Sequence, residues 1–157
     1  MSRQEQSQAI DRFDGNYWFL SNFYSIGIEL DGVVYPSVEH AYQASKTHDL
    51  EWRQTILTAR TAGGAKRFGR NIPKEHFRKD WEDVKLGLME GFLRQKFAIV
   101  TLHARLLGTG DAELIEGNDW GDQFWGVYKG KGENHLGKLL MKIRIDLRLK
   151  MRQETQI

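Results

Sequence analysis

A chain of 157 residues and 18.2 kDa is long enough to bury one continuous core and too short to hold two comfortably. With 40% hydrophobic and 28% charged residues it belongs with globular chains. Having no cysteine, it excludes disulfide scaffolds, thiolate nucleophiles and cysteine zinc sites, while a net charge of +2 favours anionic ligands only weakly and falls short of a dedicated nucleic-acid binder.

Residues 1–12 are polar and lack an apolar period, so they read as a flexible arm ahead of a single domain over 13–157. The stretch MSRQEQSQAIDRF has no apolar signal-peptide core. No later segment approaches the roughly 18 uninterrupted apolar residues of a membrane span, and a cytoplasmic protein that meets no membrane is expected. Ile26, Ile28 and Leu30 alternate with Gly27 and Glu29, then Asp31-Gly32 turns the chain into Val33, Val34 and Tyr35, predicting a β-hairpin. Pro36-Ser37 opens a helix with Ser37 as its cap and Glu39 in its first turn. Short helices are predicted over Leu50 to Ala59 and over Ala65 to Gly69, with Gly63-Gly64 as the break between them.

A longer helix is expected from Asp80 as cap, with Trp81, Val84, Leu88 and Phe92 on its apolar stripe. A further helix ends at Gly108, a strand is read at Leu114-Ile115, and Gly117 to Gly132 is a loop rich in Gly, Asn, Asp and Trp. The last helix starts near Asn134, places Leu136, Leu140, Ile143 and Leu147 on one side, and carries basic residues that suit its C-terminal dipole. The expected class is α+β, predominantly α-helical, in a single domain with a small β-hairpin or sheet.

Four constellations have chemical potential. Glu39, Gln43 and Lys46 stand at i, i+4 and i+7, which predicts an acid, an amide and an amine on one helical face. A carboxylate near a helix N-terminus is favoured in its ionised form. Asn118 to Gly126 sets Trp120, Phe124 and Trp125 beside Asp119 and Asp122, a loop able to stack a base and approach a sugar. From Gly132 the chain reads G-x-x-x-x-G-K at a helix start, but Leu139 stands where a P-loop needs a hydroxyl for magnesium, so a Walker-type NTPase is rejected. Finally, Lys66, Arg67, Phe68, Gly69 and Arg70 offer cations and a glycine suited to gripping a diphosphate, or nothing more than a solvated basic helix end. The histidines at 40, 48, 76, 103 and 135 show no metal-ligand spacing, so neither a catalytic metal nor a cofactor is expected.

Taken in order, Phe19-Leu20-Ser21-Asn22-Phe23-Tyr24, Tyr35 through Lys46, and Ala65-Lys66-Arg67-Phe68-Gly69-Arg70 resemble the NADAR, or YbiA-like, superfamily. The resemblance runs on through Trp81, Lys96-Phe97, Leu114-Ile115-Glu116, Asp122 to Gly126, Gly132, Asn134 and Leu136-Gly137, so it spans about residues 13 to 148. It implies a mostly helical fold and an N-glycosidase acting on a ribosyl phosphate or nucleotide, either a riboflavin-pathway intermediate or ADP-ribosylated guanine in nucleic acid. Carried over by motif, Glu39, Lys46 and Asp122 are the catalytic candidates. Asn22, Phe23, Gln43, Arg67, Gly69, Trp81, Trp125, Gly126, Gly132 and Asn134 are candidates for substrate contact or support. The pattern departs at Val127-Tyr128, where relatives carry a more polar, glycine-rich stretch. Two other classes stay open: a non-catalytic NAD or ADP-ribose sensor with the same pocket, and a nucleic-acid module using Lys66, Arg67, Arg70 and the basic last helix.

Overall fold

In the computed structural model, which describes residues 8–156, internal contacts group the chain into two units. One is Asn22–Ala98; the other joins the segment ending at Ser21 to the segment from Ile99 onward. The class is α+β and mostly helical, as the patterning requires.

Asn22–Ala98 begins with the hairpin. Strands β1 (Ser25–Leu30) and β2 (Val33–Ser37) pair antiparallel, with Ile28 opposite Tyr35 and Leu30 opposite Val33. Asp31 and Gly32 both take positive φ, 50° and 82°, the geometry that matches a two-residue turn to the twist of its strands. Ile28, Leu30, Tyr35 and Ser37 point inward. Helix α1 (Val38–Ala44) starts where Ser37 Oγ accepts the His40 amide, a cap worth about 1 kcal/mol. It ends where the Ser45 hydroxyl donates to the Tyr42 carbonyl. Helix α2 (Leu50–Leu57) is capped by Asp49, which accepts from the Trp52 amide.

Helix α3 spans Ala62–Arg70 and corrects the predicted break. Gly63 and Gly64 lie inside its first turn, because Thr61 accepts the Gly64 amide and starts the helix three residues early. Helix α4 (Trp81–Phe97) begins where expected, yet Asp80 makes no capping bond; its carboxylate is held by Arg78 instead. Buried Met89, Phe92, Leu93 and Phe97 on α4 and Val38, Ala41 and Ala44 on α1 supply much of this unit's core.

In the other unit, Gly15–Leu20 forms a 3-10 helix, and α5 (Val100–Gly108) and α6 (His135–Glu154) are the longer elements. The strand read at Leu114-Ile115 reduces to one parallel bridge between Leu114 and Ile10. Residues 1–7 of the expected arm lie outside the described residues, and Ile10 is buried on that bridge, donating to the Glu113 carbonyl and accepting from the Ile115 amide. Leu102, Leu106, Leu114, Leu136, Leu140 and Ile143 are buried here. No helix among the described residues is long and apolar enough to cross a membrane.

Candidate active site

The end of α1 gathers the first group of predicted residues. Glu39 is buried in the first turn, its amide donating to the Asn22 carbonyl. One helical turn on, Gln43 Nε2 donates to Glu39 Oε1 at 2.6 Å. Gln43 Oε1 and Asn22 Oδ1 are buried acceptors without a protein donor; Asn22 Nδ2 has only the soft Met89 sulfur, at 3.6 Å. A buried polar atom left so costs about 1–3 kcal/mol and calls for a reason to be kept.

Lys46 does not complete a helical stripe. The helix ends at Ala44, and the turn after it brings the amine back, with the Lys46 amide donating to the Gln43 carbonyl. Its Nζ lies 5.3 Å from the Tyr42 ring centroid and 6.0 Å from that of Trp81; Trp81 is buried and tilted against Tyr42 at 5.2 Å. Burial lowers the Lys46 pKa from its usual value, because a desolvated ammonium is disfavoured. Glu39 opposes that shift, whereas the like charges of Arg70, Lys66 and Lys85 add to it. The outcome is an amine biased toward its neutral, nucleophilic form next to a carboxylate.

The main chain of this turn is held from two directions. The Arg78 amide donates to the Lys46 carbonyl, its guanidinium Nη1 reaches the Ser45 carbonyl at 3.3 Å, and Nε and Nη2 donate to the two Asp80 carboxylate oxygens at 2.7 and 3.0 Å. Thr47 Oγ1 donates to the His76 carbonyl, and Arg53 Nε donates to the Thr47 carbonyl. His40, next to Glu39 in sequence, is absorbed structurally: its Nε2 lies 3.0 Å from the Ala59 carbonyl, to which it donates, and its Nδ1 lies 2.7 Å from the Ser37 hydroxyl. An open cleft of about 570 Å³ lined by His48, Asp49, Glu75, Phe77 and neighbours shares Arg78 and Asp80 with the clamp and contains none of the predicted site residues.

From α3, Gly69 packs directly on Gln43, where any Cβ would overlap the Gln43 amide. Gly69 therefore sets the approach of α3 to α1. Arg67 is exposed, Phe23 half-buried with its ring edge near Gly63. Sequence reasoning missed Tyr42, Lys85 and the Arg78–Asp80 clamp. Lys85 had a signal, since it follows Trp81 by one turn of α4; the clamp had none.

The loop from Glu116 to Asn134 gathers the second group. Asp122 Oδ1 accepts from the Phe124 and Trp125 amides at 3.0 and 2.9 Å. Asn118 closes a ring around it, accepting the Asp122 amide and donating to the Asp122 carbonyl. Asn134, at φ 53°, accepts from the Glu116 amide and donates to the Leu114 carbonyl, each at 2.9 Å. Trp125 packs edge-on to Phe124 at 4.9 Å and 90°. Gly126 is buried with the Glu116 carbonyl against it, and exposed Gly132 lies close to the Gly126 carbonyl, both too close for a Cβ. Val127 pairs with Gly117 and Tyr128 with Lys131 through isolated main-chain bridges. No group of three or more possible metal-ligating side chains occurs among the described residues.

The NADAR domain model matches residues 10–148. The chain belongs to the NADAR family. Among its NADAR relatives, N-glycosidase YbiA of Escherichia coli (strain K12) is 40% identical over 134 residues, 84% of this chain and 82% of that one. A riboflavin biosynthesis protein of Vibrio vulnificus is 40% identical over 136 residues, of which this chain spans only 36%. The NMR structure of E. coli YbiA aligns with a TM-score of 0.78 at 36% identity, covering 94% of this chain and 92% of that one. As a NADAR protein with relatives of this kind over most of both chains, it is an enzyme of the N-glycosidase class.

Proposed function

We propose that this chain cleaves the C–N bond between a base and the anomeric carbon of a phosphorylated or ADP-ribose-linked ribose, with Lys46 as nucleophile and Glu39 as proton-transfer group. The observation that carries the reading is the desolvated Lys46 amine held beside Glu39 on a clamped turn. The neutral amine attacks the anomeric carbon as the bond to the base breaks with its electrons; the attacking nitrogen gives one proton to Glu39, which passes it to the departing base, and a ribosyl–lysine bond remains. The nitrogen lone pair then expels the ring oxygen, which takes a proton from Glu39 reprotonated from water, leaving an open-chain protonated Schiff base. Water adds to the carbon–nitrogen double bond, and collapse of that adduct with loss of a proton releases the phosphorylated or ADP-ribose-linked sugar and the free amine. Glu39 also faces the positive charge that develops on the sugar. Asp122, Asn134, Gly126 and Gly132 are assigned to shaping the Trp125 loop, because their groups are engaged with its own main chain.

The riboflavin-related names of the Vibrio and maize relatives support an aminopyrimidine ribotide as one substrate. ADP-ribosylated guanine is the other substrate carried from the family resemblance. The test is incubation with riboflavin-pathway aminopyrimidine ribotides, NAD, ADP-ribose and ADP-ribosylated guanine DNA, following base release with and without borohydride. Release from one of them, with a reduced ribosyl adduct mapped to Lys46, is expected. Binding without release would leave a sensor in place of an enzyme.

A further inference from the structure

Gln43 uses one end of its amide and leaves the other unmet. Buried on α1, it donates from Nε2 to Glu39 Oε1 at 2.6 Å, while its own Oε1 has no protein donor. Across from it, α3 turns Ala62, Ala65 and Gly69 inward, and a Cβ on residue 69 would fall onto the Gln43 amide. The amides that hold the Trp125 loop behave differently: Asn118 and Asn134 each donate from the nitrogen and accept at the oxygen. A side chain kept for structure alone is satisfied at both ends; Gln43 is not.

An ionised carboxylate only accepts hydrogen bonds, so the Gln43 N–H must face Glu39, which leaves its oxygen against α3. There a glycine gives the oxygen room and no donor. A methionine would fill nearly the same volume without an orphaned acceptor. What methionine lacks is the N–H that holds Glu39. We propose that Gln43 is a positioning residue for Glu39, and that Gly69 sets it by leaving space for its amide. With Oε1 held, the Glu39 carboxylate stops turning about its last side-chain bond and stays directed for proton transfer, whose efficiency depends on that orientation. Gln43 touches no reacting atom and acts through Glu39 alone. The role rests on the ribosyl-cleavage reading, in which Glu39 moves the proton.

Base release by the full chain from aminopyrimidine ribotides, NAD and ADP-ribosylated guanine DNA tests it in Gln43→Met, Glu39→Gln and the double variant. Lys150→Gln, at an exposed position of α6, is the control. With the compound that turns over, Gln43→Met is expected to lower kcat per folded molecule roughly ten- to a hundredfold and to leave KM within about twofold. In the Glu39→Gln background it should lower kcat no further, because the group it acts through is gone. Gly69→Ala should reproduce the loss of kcat. Gly69→Ala combined with Gln43→Ala, which clears the amide from the added methyl group, should regain melting temperature over Gly69→Ala and regain no kcat. Unchanged kcat in Gln43→Met or Gly69→Ala, a raised KM with kcat intact, or the same proportional loss with and without the Glu39 carboxylate overturns the role. Glu39→Gln at full rate, or release from none of the compounds, removes the ribosyl-cleavage reading itself and the role with it. Loss of rate in Glu39→Gln with Gln43→Met unaffected removes the positioning role alone.

Discussion

The surroundings of the α1 C-terminus and the loop from Glu116 to Asn134 both carry polar side chains, which are used in opposite ways. In the loop, Asn118, Asp122 and Asn134 direct their oxygens and amides at main-chain groups a few to twenty residues away. Around the end of α1, Gln43 and Asn22 each keep a buried acceptor without a protein donor, and the Lys46 amine is partly desolvated. Polar residues that satisfy the backbone make structure. Those that leave polarity unmet in a buried place lower stability, and an enzyme tolerates that where the groups react.

Glu39→Gln against Asp122→Ala separates the two regions most sharply. Glu39→Gln is expected to lower the rate of base release by about a hundred- to ten-thousand-fold with little change in melting temperature. Asp122→Ala should instead lower the melting temperature and spare the rate per folded molecule. Full rate in Glu39→Gln, or a chemical defect in folded Asp122→Ala, would reverse the assignment. Next in size, Asn134→Ala removes bonds to Glu116 and Leu114 and should destabilise by about 2 kcal/mol in denaturant unfolding. Ser37→Ala, which removes the α1 cap, should cost about 1 kcal/mol by the same measurement and reduce the rate only through loss of folded protein.

The smallest effect sharpens the electrostatics. Because Arg70 helps to lower the Lys46 pKa, Arg70→Gln should raise it. A rate that needs the neutral amine falls as pH drops through that value, so the acid limb of the pH profile should move to higher pH in Arg70→Gln and stay put in Lys150→Gln. A shift to lower pH would contradict the sign of the coupling.

Features that depend on neighbours in sequence were legible: the Asp31-Gly32 turn, the Ser37 cap, the start of α4 at Trp81 and the Glu39–Gln43 pair all follow from spacing. Features decided at a distance were not. Gly63-Gly64 reads as a breaker until Thr61 is seen to cap across it, and Asp80 reads as a cap until Arg78 takes its carboxylate. Leu114-Ile115 has strand character but only Ile10 as partner, so a single bridge forms. Lys46 reads as the third member of a helical stripe, although a turn and a clamp from residues 76–80 deliver it. Asp122 reads as a catalytic candidate from composition, and nothing in the sequence shows that its Oδ1 accepts the Phe124 and Trp125 amides.

The most direct measurement is mass spectrometry of the protein quenched with borohydride during turnover. Nucleophilic attack by the Lys46 amine requires a reduced ribosyl adduct on the peptide containing Lys46, absent in Lys46→Met. Active turnover that leaves that peptide unmodified would contradict the central claim and assign the attack to water.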